Sequence, residues 1–137
     1  MRWDDLLNVP YKPHGRGRDG MDCYGLAVEM CRRAGTPLRD LYDIAELPTE
    51  SVNDYIRGGV NVRRTDAPRV GCLVEFTHRG NAHVGYVVER DRMIHATTNR
   101  GVRVTPIAIM HPIAYYEVVN ESDAVQGTVE QRKHCRD

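Results

Sequence analysis

The rhythm of apolar and polar positions changes about halfway along the chain. Near the start the spacing is helical: Trp3, Leu6 and Leu7 fall at i, i+3 and i+4, a short amphipathic turn that Pro10 ends. The stretch "YKPHGRGRDG" then carries three glycines, a proline and four basic residues counting His14, which predicts a loop. The segment "DCYGLAVEMCRRAG" follows, with Leu26, Ala27, Met30, Cys31 and Ala34 on one stripe. Asp22 suits its N-cap, Arg32 and Arg33 suit its C-terminal dipole, and Gly35 followed by Pro37 stops it. Val52, Tyr55 and Ile56, with Gly58 as a stop, predict a second short helix.

Beyond residue 70 the period becomes two. Residues 72–77 ("CLVEFT"), 83–89 ("HVGYVVE"), 92–97 ("RMIHAT"), 101–107 ("GVRVTPI") and 113–119 ("IAYYEVV") are rich in β-branched and aromatic side chains and are separated by short turns. Helices first and strands second predict an α+β domain, with N-terminal helices packed on a five- to six-stranded antiparallel sheet. Residues 1–119 form this expected domain, and the polar stretch 120–137 forms a C-terminal tail.

Charge and composition narrow the functions. The 137 residues suit one core, and 19 basic against 19 acidic side chains leave no broad basic face for nucleic acid. No apolar run approaches a membrane span, and Asp4 and Asp5 fall where a signal peptide would need its apolar core. The expectation is a soluble protein made in the cytoplasm. Of the four cysteines, Cys23, Cys31, Cys72 and Cys135, no two form a C-x-x-C pair, which favours free thiols.

Cys23 is the thiol with chemical promise. As the first helical residue it lies beside unpaired N–H groups that favour thiolate, although Asp22 opposes them. A base is therefore required. If Glu89–Asp91 turns a hairpin, Gly85 faces His95 and His83 faces Thr97, so both histidines share one face as diagonal neighbours. Gly85 would then leave room for the imidazoles. The combination permits a relay in which Cys23 attacks, His83 takes the proton and His95 orients His83. Taken singly, each residue has a plainer reading: an inert packed cysteine, or a histidine satisfied in place. A zinc site from Cys23, Cys72, His83 and His95 is a weaker alternative.

"GMDCYGL", "RVGCLVEF" and "AHVGYVVERDRMIHAT" resemble, in order and spacing, the motifs of the NlpC/p60 cysteine peptidases. The resemblance runs from about Val9 to Thr105 and implies a papain-like fold with no metal and no cofactor. It gives Cys23 as nucleophile, His83 as general base and His95 as third polar residue. It also puts Tyr11 near the nucleophile, as an oxyanion or substrate contact. The usual serine after the cysteine is Tyr24 here, at a position that in the family contacts substrate, and the usual aspartate of the following strand is Cys72. The aromatic is reminiscent of the branch found in tailed-phage tail proteins. The implied activity is hydrolysis of peptidoglycan stem peptides at the γ-D-glutamyl–diaminopimelate bond. The implied setting is a virion tail tip or baseplate acting on the host wall, with tail proteins as partners. A tail component that keeps the fold without turnover is the alternative.

Overall fold

The computed structural model describes residues 1–40 and 61–119. The second helix expected around Val52–Ile56, the tail from residue 120, and Cys135 all lie outside the described residues. The chain starts with a 3₁₀ turn, Asp4–Leu6, that buries Leu6. The glycine-rich loop contains a small antiparallel hairpin, β1 (Arg16–Gly17) and β2 (Gly20–Met21). Helix α1 follows over Cys23–Ala34, with the expected caps. The Asp22 carboxylate accepts from Gly25 N–H, and Gly35 adopts a left-handed φ of 80° that an L side chain would resist.

Twelve residues make a marginal helix in isolation, so its buried face must hold it. Leu26, Ala27, Met30 and Cys31 are each at most 1% exposed. Burying a side chain the size of Leu or Met is worth about 1.5–3 kcal/mol, more than any cap supplies. Arg33 anchors the far end, pairing with Glu29 one turn back and with Asp5 of the 3₁₀ turn.

The remaining strands are β3 (Val62–Thr65), β4 (Leu73–His78), β5 (Asn81–Glu89), β6 (Arg92–Thr97), β7 (Gly101–Pro106) and β8 (Ala114–Val118). They form one antiparallel six-stranded sheet in the order β3-β8-β4-β5-β6-β7. The five strands expected beyond residue 70 are present within a residue or two at each end. The edge strand β3 was not expected: its sequence, Val-Arg-Arg-Thr, has exposed Arg63 and Arg64 and little apolar signal.

Alternation divides the sheet into two faces. Leu73, Val84, Tyr86, Ile94, Ala96, Val102 and Tyr116 form one core with α1. Glu75 is buried on this face too, held by the Tyr116 hydroxyl at 2.7 Å. The opposite face carries a second core of Cys72, Val74, Phe76, Val87, Met93 and Ile107. Ile107 belongs to a second 3₁₀ turn, Ile107–Met110, which folds over that face.

The β5–β6 hairpin keeps the expected register at Tyr86↔Ile94 and Val87↔Met93. It then shifts, so that Glu89 rather than Val88 faces Arg92 and the turn shortens to Arg90–Asp91. Toward the other end the β5–β6 ladder stops at Tyr86↔Ile94, although β5 still pairs with β4 down to Asn81. The two strands part at His83–Gly85. The space beside Gly85 is not open to the imidazoles, because a Cβ there would stand 2.6 Å from Met93 Sδ.

Candidate active site

The helix tip is fixed before any chemistry begins. Asp22 is 3% exposed and fully employed. One carboxylate oxygen accepts from Gly25 N–H at 2.7 Å and from Arg16 Nη1 at 3.0 Å, and the other accepts from His14 N–H at 2.9 Å. Arg16 also grips Asp40 through Nε and Nη2. The basic loop thus threads the helix cap to the segment after the helix. Packing there is tight: a Cβ on Gly25 would meet the Gly15 carbonyl oxygen at 2.2 Å. Sequence reasoning did not single out Arg16. The signal was a basic residue in a tight glycine loop just before a helix capped by aspartate.

Cys23 is the first residue of α1 and is buried, 8% exposed. Burial pushes its thiol up to about 11; Asp22 pushes the same way, against the backbone N–H groups of Val84, Tyr24 and Cys23 itself, which favour thiolate. Desolvation therefore outweighs the helix terminus, and the resting group is a neutral thiol. Val84 locates the sulfur. Val87 N–H points to β4, where it bonds the Cys72 carbonyl at 2.9 Å. By alternation Val84 N–H points toward β6, into the space where the strands have parted. The thiol therefore reaches the sheet at the β5–β6 split, beside the residue that follows His83.

The two histidines share a face, as the hairpin geometry predicts, but it is the face turned away from α1. His83 stacks on Phe76, ring centroids 5.6 Å apart, and His95 meets Phe76 edge-on at 5.7 Å. Burial lowers the proton affinity of His83, with help from His78, whose ring lies 5.9 Å away. His95 is pushed down to about 4, by burial first and then by His83, His78 and Arg103. Both imidazoles are therefore neutral at pH 7, the form a general base requires. His95 Nε2 is hydrogen-bonded to Thr105 Oγ1. Among the described residues no hydrogen bond joins the Cys23 thiol to either ring. His78 and Thr105 had not been singled out; both stand on alternating positions beside the predicted pair.

The tyrosines separate. Tyr11 is half-buried, bridged to Met21, and close enough to Cys23 and Asp22 that both raise its pKa, after burial. Tyr24 turns into the core instead: it is 5% exposed and its hydroxyl donates to the Arg39 carbonyl at 2.5 Å. Cys72 packs in the second core, across the sheet from the Cys23 cluster. A cavity of 370 Å³ opens on the histidine face, walled by Phe76, His83, His95 and Thr105 among others; Cys23 is not part of its wall.

A helix-tip cysteine set against an antiparallel sheet that carries two histidines defines a papain-like α+β domain. The chain belongs to the NlpC/P60 family, which it matches over residues 8–121. Among solved structures it is similar to the NlpC/p60 domain of the peptidoglycan hydrolase SagA, with 16% identity, a TM-score of 0.55, and 85% of this chain and 92% of that one covered. It is also similar to an NlpC/P60 family protein from Bacillus cereus ATCC 10987, with 21% identity, a TM-score of 0.54 and 80% of this chain covered. NlpC2 from Trichomonas vaginalis aligns with 19% identity, a TM-score of 0.59 and 84% of this chain covered. The chain spans 35% and 43% of the length of these last two. At these identities the likeness is one of fold. Comparison with curated proteins finds no match.

Proposed function

We propose that the protein is a cysteine peptidase that hydrolyses peptidoglycan stem peptides, with Cys23 as nucleophile, His83 as general base and His95 as the residue that orients His83. The carrying observation is the buried Cys23 thiol at the α1 tip, facing Val84 N–H at the split in the sheet, one residue from a neutral His83. In the first step Cys23 Sγ attacks the amide carbonyl while its proton passes to His83. His83 then returns that proton to the departing amine, leaving a thioester on Cys23. Water, deprotonated by His83, attacks the thioester; the acid leaves and the thiol regains its proton. The Cys23 N–H and the Tyr11 hydroxyl are the donors proposed for the oxyanion.

The family resemblance supports the γ-D-glutamyl–diaminopimelate bond as the target. A tailed-phage tail tip, with baseplate or tail proteins as partners, is the setting suggested by the aromatic that follows the nucleophile. The test is digestion of purified muropeptides followed by mass spectrometry, wild type beside Cys23→Ala. New peptides ending at the γ-D-glutamyl carboxylate, absent with the variant, support the proposal. No Cys23-dependent product rejects it. Detection of the protein in purified virions tests the setting separately.

One observation favours a second reading, a structural component that keeps the fold without turnover. The thiol rests protonated and has no hydrogen bond to an imidazole among the described residues. That reading predicts intact muropeptides in the same digestion.

A further inference from the structure

The 370 Å³ cavity on the histidine face has a strongly biased wall. Arg79, Arg100 and Arg103 stand in it beside His78, His83 and His95, and no carboxylate does. Elsewhere Arg2, Arg18, Arg32, Arg33 and Arg63 each meet an aspartate or glutamate within 3.3 Å, while Arg64 and Arg90, which stand outside this cavity, have no carboxylate partner among the described residues. Arg79, Arg100 and Arg103 have no such partner among the described residues. Arg103 is also the register partner of His95 and lowers its proton affinity, so its charge is felt inside the wall. Three unpaired arginines converging on one concavity hold positive potential where a carboxylate would be favoured twice, by charge and by bidentate hydrogen bonding.

We propose that this cavity recognises the free carboxylates of an acidic peptide, with Arg100 and Arg103 as specificity-determining residues and Arg79 completing the cationic rim. The cavity volume suits a few peptide residues rather than a polymer. A peptide seated in the cavity lies along His83 and His95 and sets its carboxylates toward the arginines. That the acid is a peptidoglycan stem peptide rests on the function proposed above; the carboxylate recognition itself does not.

Binding to the full chain carrying Cys23→Ala, which removes turnover, separates the two. The probes for calorimetry are L-Ala-γ-D-Glu-diaminopimelate-D-Ala, the same peptide with its carboxylates amidated, and inorganic phosphate. The acidic peptide is expected to bind at least tenfold more tightly than its amidated twin. The Arg100→Met/Arg103→Met double variant is expected to erase that difference without altering circular dichroism, because both side chains are exposed. Equal binding of the two peptides overturns the proposal. So does an undiminished preference in the double variant, or displacement of the acidic peptide by equimolar phosphate, which would mean a general anion sink. Wild-type protein that cleaves neither peptide yet keeps the carboxylate preference would remove the peptidase reading and leave this one standing. Cleavage of both peptides with equal affinity would do the reverse.

Discussion

The two faces of the sheet are built from the same strands and treat their polar groups in opposite ways. On the α1 side a thiol is buried and its proton is held up to about 11. On the other side a buried and a half-buried imidazole shed their protons early, His95 at about 4 and His83 below its ordinary value. Desolvation does both, since it disfavours whichever form carries charge. The lesson is that each group rests neutral, so the proposed reaction requires a proton to cross from thiol to imidazole. The split between β5 and β6, where Val84 N–H meets the thiol, is where the two faces come together.

The strongest way to break this comparison is to remove one side of it. Cys23→Ala and His83→Ala are each expected to lower stem-peptide hydrolysis by about 10³-fold or more, as for other nucleophile–base pairs. Unchanged circular dichroism and melting temperature would show that the fold survives. His95→Ala is expected to cost less, because the role proposed for His95 is exerted through His83. A folded Cys23→Ala protein with full activity would end the assignment.

A second contrast lies in pH. His95 has a folded-state pKa of about 4 against an ordinary 6.5, so between those values the unfolded chain binds more protons. Stability is then fully present above pH 6.5 and is lost as pH falls toward 4, by on the order of 3 kcal/mol. Urea titrations across that window measure it, and His95→Gln should flatten the profile. The same sign applies to catalysis. His83 titrates below its ordinary value, so kcat/KM should rise through an acid limb centred under pH 6.5 and then level off.

The helix tip offers a smaller test. Asp22→Ala removes the cap on Gly25 N–H and leaves Arg16 without one of its two carboxylates, and is expected to cost about 2 kcal/mol in urea unfolding. Smallest is the effect on alkylation. From sequence, iodoacetamide is expected to label Cys23 first and at a lower pH than the other thiols; burial lifts the Cys23 thiol to about 11 and so slows that labelling. Labelling of the native protein should be slow at pH 7 and accelerate only above pH 9.

Much of this was legible in the residues. Asp22 and Gly35 bracket α1 because each supplies a terminal group with what the backbone lacks. The period-two runs gave five strands because one or both faces are buried. Parity alone put His83 and His95 on one face, yet it is silent on which face the helix covers; that depends on packing of α1 against Val84, Tyr86, Ile94 and Ala96. β3 escaped because an edge strand needs no apolar alternation. The bulge at Val88 escaped because nothing in Glu-Arg-Asp-Arg distinguishes a two-residue turn from a three-residue one. Tyr24 reads from sequence as a substrate contact, and only the Arg39 carbonyl reveals that its hydroxyl is already employed.

The central claim is that sulfur on one side of the sheet is activated by an imidazole on the other. Its most direct test is the mass of the intact protein, acid-quenched during turnover of a stem peptide and then mapped by proteolysis. The account predicts an acyl adduct with the mass of the γ-glutamyl fragment, carried on the peptide that contains Cys23 and absent from His83→Ala. Hydrolysis that proceeds with Cys23 unmodified, or with the adduct on another residue, would contradict it.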